Sequence, residues 1–129
     1  MEITVGMRAK EEMTVTDDFT AVAAGSGSLR VFGTPYMAAL MEKAAVKALE
    51  PAMDEGSTSV GTRLEISHTA ATPVGMKVWA EATVTSVDGR SVGFEVTAWD
   101  EKGKIGSGNH TRFVVNGARF TEKTYSKLG

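Results

Sequence analysis

The chain has 129 residues, enough for one domain with one hydrophobic core. Its net charge of −2 gives no basic field for nucleic acid or an anionic membrane surface, and no apolar run nears the roughly 20 residues of a spanning helix. Cysteine is absent, which excludes disulfides, thiol catalysis and thiolate metal sites.

The start, Met1-Glu2-Ile3, lacks the basic and apolar regions of a signal peptide. A cytoplasmic location is therefore expected. No repeat or change of composition divides the chain, so a single domain over 1–129 is expected as well.

Residues 7–16 read as a strand, with Met13 and Val15 alternating against Thr14 and Thr16. Residues 17–33 contain Ala23-Ala24-Gly25-Ser26-Gly27-Ser28 and read as a long loop of the kind that forms lids. Thr34 suits an N-cap and Pro35 a first helical residue, and Pro51 ends the helix near Glu50. On that helix Met37, Leu40, Met41, Ala44, Ala48 and Leu49 share a face. Ala39 and Val46 lie nearly opposite, and Lys43, Lys47 and Glu50 fill only a narrow polar sector. A helix covered on most sides by a curved sheet is expected.

The remainder reads as strands. Val60, Thr62, Leu64, Ile66 and His68 are in phase, followed by a Thr72–Gly75 connection and a strand from Met76 to Val87. Asp88-Gly89 signals a hairpin, and Val92, Phe94, Val96 and Ala98 line the next strand. Glu101–Lys104 turns again. Ile105 to Val115 forms the last strand, with Ile105, Phe113 and Val115 in phase, and the tail from Asn116 reads as irregular or weakly helical. Strand, loop, helix and four antiparallel strands define an α+β class.

Glu42 stands out. Its helical neighbours Ala38, Ala39, Ala45 and Val46 are all apolar, and no lysine is in reach. Either it snorkels to water past the alanines, or it is a desolvated acid fit to act as a base or nucleophile. His68 should point at the same helix, as a hydrogen-bonded core residue or as the imidazole partner of that acid. Thr34 caps the helix or offers its hydroxyl where the helix dipole favours negative charge. It is eight residues from Glu42, about 12 Å along the axis, so the two line one cleft without touching.

Gly61 opens the strand carrying His68. It reads as a bulge or as an N–H able to approach a carbonyl oxygen. Arg112 is out of phase with Phe113 and reads as an exposed strand arginine; His110, of the same parity, reads as structural or surface. There is no Gly-x-Ser-x-Gly nucleophile motif, and Gly106-Ser107-Gly108 lacks the context of a phosphate loop. Two separated histidines without cysteine make no metal site.

These residues resemble a known family. Thr34 and Glu42, then Val60-Gly61-Thr62, Ser67-His68-Thr69-Ala70-Ala71-Thr72-Pro73 and Ile105-Gly106-Ser107-Gly108-Asn109-His110-Thr111-Arg112 look like the fluoroacetyl-CoA thioesterases of the hot-dog fold, over about Phe32 to Val115. The resemblance implies a long central helix wrapped by a curved antiparallel sheet of about five strands. It implies a homodimer whose sheets join edge to edge, with the active site at the interface. Thr34, Glu42 and His68 match the family's catalytic group, and Gly61 and Arg112 match its acyl-binding glycine and arginine. No metal or redox cofactor is implied, CoA being part of the acyl-CoA substrate.

The fluoroacetyl-specific enzyme carries phenylalanines in the lid before the helix. Here Ala21 to Arg30 has no aromatic residue, which points toward hydrolysis of another short acyl-CoA. The competing reading is a non-catalytic acyl or acyl-CoA binding protein on the same fold. No motif matches the Asp/His pair of hot-dog dehydratases.

Overall fold

The computed structural model describes residues 2–129; Met1, and with it part of the N-terminal start, lies outside them. The elements run β1 (Arg8–Thr14), α1 (Ala21–Ala24), α2 (Thr34–Leu49), β2 (Ser57–His68), β3 (Lys77–Asp88), β4 (Ser91–Asp100), β5 (Gly103–Asn116) and α3 (Gly117–Tyr125). The strands form one antiparallel sheet in the order β1-β3-β4-β5-β2. Among the described residues no helix is long and apolar enough to cross a membrane.

Alternation is cleanest in the middle of the sheet. There β3 buries Val78, Ala80, Ala82 and Val84, and β4 buries Val92, Phe94, Val96 and Ala98. Helix α2 lies on this face and buries Met37, Leu40, Met41, Ala44, Ala45, Ala48 and Leu49. Both surfaces are rich in alanine, so helix and sheet can approach closely and exclude water from the longer side chains around them. The six helix residues expected on one face are all buried. Cover on most sides is not found in the single chain, because Ala39, Lys43 and Val46 are exposed.

Two bulges correct the expected strand phases. In β5, Ala98 faces Gly106 while Trp99 faces Lys104, which leaves Ile105 as an extra residue. A bulge puts two successive side chains on one side and shifts everything beyond it by one. Ile105 stays in the core, and Gly106, His110, Arg112 and Val114 are buried after it, whereas Phe113 is 41% exposed. In β2, Gly61 faces Arg112 and Arg63 faces Thr111, so Thr62 is the extra residue. Gly61 and Ser59 therefore face inward with Leu64, Ile66 and His68, and Val60, paired with Phe113, faces out.

The segment expected as a loop is folded. A 3-10 turn (Asp17–Phe19) and α1 are tied down by bridges Thr20–Phe32 and Val31–Pro73 and by the Arg30–Asp17 ion pair. Thr20 caps α1, accepting from the Ala23 N–H at 3.1 Å. The tail is a regular helix, α3, capped by the Asn116 side chain. Helix α2 begins one residue earlier in capping terms than expected. Gly33 is its N-cap, and the Thr34 hydroxyl makes no cap bond.

Glycines 106 and 108 have a steric reason. A Cβ on Gly106 would stand 2.6 Å from the Ser67 carbonyl oxygen and 2.8 Å from Met37 of α2; one on Gly108 would stand 2.0 Å from the Glu65 carbonyl oxygen. The curvature of β2 over β5 and the seating of α2 need both positions bare. Gly108→Ala should cost about 2 kcal/mol or more, read as a drop of several degrees in melting temperature. A shift of under about one degree would show that β2 has room to move away.

Candidate active site

The residues singled out in the sequence fall into two groups along α2. At the helix N-terminus the Thr34 hydroxyl is 2.7 Å from His68 Nδ1. This contact exists because Gly33, and not Thr34, caps the helix. His68 projects inward from the end of β2, with its ring edge-on to Phe32 at 6.4 Å. The pair opens into a cavity of about 260 Å³ whose wall also includes Ala21, Ser26, Val31 and Phe32 from the folded lid segment. His68 Nε2 is buried without a hydrogen-bond partner among the described residues. Burial pushes the imidazole below its ordinary 6.5, against an opposing pull from the Ala70 backbone.

Two turns further along α2, Glu42 meets β2 and β5. Its Oε1 is 3.6 Å from Arg112 Nη1 and 3.9 Å from His110 Nε2. The expectation of an acid among apolar neighbours is corrected here. The helix supplies only apolar neighbours, but the sheet supplies an arginine and a histidine, and the Glu42 side chain is 41% exposed in the single chain. Gly61 forms the floor of this group. A Cβ there would lie 2.6 Å from Glu42 Oε1, 3.2 Å from His110 Cε1 and 3.4 Å from Arg112 Nη1. Its missing side chain lets a carboxylate, an imidazole edge and a guanidinium close in on the backbone.

Arg112, expected on the surface, is 7% exposed. Its Nε donates to Ser59 Oγ at 2.8 Å, its Nη2 to the Ser59 carbonyl at 3.0 Å, and its Nη1 to His110 Nε2 at 3.1 Å. Burial lowers its pKa from the ordinary value, and the nearby Glu42 charge opposes the shift. Of the two readings of His110, structural or surface, the structure removes the second. The residue is 2% exposed, stacked against Phe94 at 5.9 Å, with Nδ1 2.7 Å from the Arg63 carbonyl. Burial pushes its pKa down, and Arg112 adds to this, while the Arg63 carbonyl and Glu42 pull the other way. The signal was its shared parity with Arg112; what hid it was the Ile105 bulge.

Glu42, Gly61 and Arg112 thus come together, and so do Thr34 and His68, but the groups are about 12 Å apart along one helix. The chemistry on offer is a carboxylate beside a buried cation and a bare backbone, plus a neutral imidazole bonded to a hydroxyl. Such parts suit addition to a carbonyl followed by proton transfer.

A central helix held in a five-stranded antiparallel sheet, in this strand order, is the architecture of the hot-dog thioesterases, and the comparisons agree. The model of the fluoroacetyl-CoA-specific thioesterase family matches residues 15–118. A fluoroacetyl-CoA thioesterase of Streptantibioticus cattleyicolor is 42% identical over 97 residues, 75% of this chain and 70% of that protein. The structure of the fluoroacetyl-CoA thioesterase FlK matches with a TM-score of 0.91 and 34% identity over 98% of both chains. A variant of FlK in complex with acetyl-CoA gives 0.93 at 34% identity, over 98% of this chain and 100% of that one. A thioesterase-superfamily protein of Thermus thermophilus gives 0.88 at 29% identity, over 98% and 93% of the two chains. The chain belongs to the fluoroacetyl-CoA-specific thioesterase family.

The two buried imidazoles set a pH dependence. Both have folded-state pKa values below the ordinary 6.5. Between those values and 6.5 the unfolded chain binds more protons than the folded one, so stability is lost as pH falls through that window. The urea midpoint should be lower at pH 5.5 than at pH 7. An equal midpoint would mean that the fold does not resist protonation of His68 and His110.

Proposed function

We propose that this hot-dog thioesterase hydrolyses short-chain acyl-CoA thioesters, α-substituted or not, to the acid and CoA. The observation that carries the reading is the grouping at Gly61. The bare backbone there lets the Glu42 carboxylate and Arg112 Nη1 stand side by side, 3.6 Å apart, against the same strand. Glu42 attacks the thioester carbonyl or activates the water that does. The Gly61 N–H stabilises the oxyanion, and Arg112 binds the acyl group. His68, oriented by Thr34, moves the proton to the departing thiolate. CoA enters as substrate, and the residues call for no metal or redox cofactor.

The 12 Å between Glu42 and its own Thr34–His68 pair is too long for one reacting carbonyl to span. A second copy supplies the missing partner. Strand β2 is a twelve-residue free edge that carries half-buried Leu64 and Ile66, next to the exposed Val46 flank of α2. The other edge, β1, has only seven residues and carries Arg8, Lys10, Glu11 and Glu12, the usual protection against pairing. We read the working unit as a cytoplasmic homodimer joined along β2, with residues 1–129 forming one domain per subunit.

The first test is a panel of acyl-CoAs varying chain length and α-substituent. Wild type should turn over the short members, and Glu42→Gln should lose about a hundredfold or more in kcat. Unchanged turnover in the variant removes Glu42 from the chemistry; tight binding without hydrolysis by wild type would mark a binding protein instead.

The second test mixes subunits. Glu42→Gln and His68→Ala are each expected to be inactive. Exchanged into heterodimers, they should regain about a quarter of wild-type activity, because half the dimers hold one intact site of two. No recovery on verified exchange would place both residues of each site on one chain.

A further inference from the structure

We propose that His110 is a positioning residue, locked as the neutral Nδ1–H tautomer, which holds Arg112 off Glu42 and so keeps the carboxylate free to react. This rests on the reading of Glu42 and Arg112 as the reacting and acyl-binding groups.

The lock follows from donor and acceptor identity. A guanidinium only donates, so at the 3.1 Å contact with Arg112 Nη1 the His110 Nε2 must accept. The ring proton is then on Nδ1, where the Arg63 carbonyl accepts it at 2.7 Å. One tautomer satisfies both ends. Imidazolium would set N–H against N–H and cation against cation at a 2% exposed position. The charged groups facing His110 are Glu42 from α2 and Arg112 from β5 itself; β2 offers the Arg63 carbonyl and β4 the Phe94 ring. The Arg63 side chain pairs instead with Glu65 on the exposed face.

The consequence falls on Arg112. Three of its five N–H groups are committed, two to Ser59 and one to His110. The bond to His110 fixes Nη1 at 3.6 Å from Glu42 Oε1, within ion-pair reach but beyond a hydrogen bond, beside the bare Gly61. Without that acceptor, Nη1 is free to close on Glu42 and form a direct charge-assisted pair. Such a pair would tie up the carboxylate that has to act as base or nucleophile. His110 therefore works through Arg112.

Two readouts test this. In the free enzyme, ¹⁵N resonances of the His110 imidazole should show a protonated Nδ1 and a bare Nε2, persisting at pH 6, where an ordinary histidine is mostly charged. An Nε2–H tautomer or an imidazolium at that pH overturns the proposal, and this measurement needs no substrate. In turnover, His110→Asn keeps a donor toward Arg63 but loses the acceptor. It should lower kcat about tenfold or more with KM changed less than about twofold. His110→Gln, whose Oε1 can stand at the Nε2 position, should recover most of the loss. In an Arg112→Ala background, His110→Asn should have almost no further effect. Additive losses in that background would show that His110 acts elsewhere and would overturn the proposal. If wild type hydrolyses nothing on the panel, the thioesterase reading fails, and the imidazole resonances still decide the lock.

Discussion

The site depends on Ile105, a single residue without a partner in β4. Its insertion turns the rest of β5, from Gly106 to Asn116, over, so that glycine, histidine and arginine face α2 and Phe113 faces out. In register without it, the phenylalanine would enter the core and the arginine would reach water. Burying a guanidinium has a real cost, which Ser59, His110 and the nearby Glu42 carboxylate offset together. The Thr62 bulge in β2 does the matching job across the ladder. It brings Ser59 and Gly61 inward at the level where Arg112 needs an acceptor and Glu42 needs space.

Position along α2 then divides the labour. The helix carries Thr34 in its first turn and Glu42 in its third, on a side that the sheet of the same chain leaves partly open. His68 at one end of β2 and Gly61 near the other meet these two positions separately. A helix laid across a long edge strand thus holds two separate polar groups in one chain. The free edge beside them is where a partner strand has hydrogen bonds to gain.

Much of this was legible in the sequence, because regular periods are legible. The helix face from Met37 to Leu49 and the alternation in β3 and β4 follow from spacing alone, and Glu42 stood out as a charge outside the polar sector. A bulge at Gly61 was one of the readings offered, but the bulge in β5 was not legible, since one extra residue leaves the hydrophobic pattern locally plausible in either phase. That single ambiguity put Phe113 inside, made Arg112 an exposed residue and set His110 aside. Thr34 was misjudged for a different reason. Threonine before proline is a good cap, but Gly33 already occupies that place, and its N–H bonds to the Phe19 carbonyl at 3.0 Å. The lid segment read as loose because its residues are small, whereas backbone bridges to Phe32 and Pro73 and the Thr20 cap give it a fixed shape.

The bare glycines of β5 have an evolutionary meaning. Every inward position from Gly106 to Arg112 is committed, either to a backbone contact with no space for a methyl group or to a buried polar bond. Mutational drift at these inward positions is therefore closed off. The wall of the Thr34–His68 cavity made by Ser26 and its neighbours is different, since those side chains are small and exposed and new atoms there displace only water. A lineage built on this scaffold can reshape that cavity by enlarging residues such as Ser26 while the inward face of β5 stays as it is.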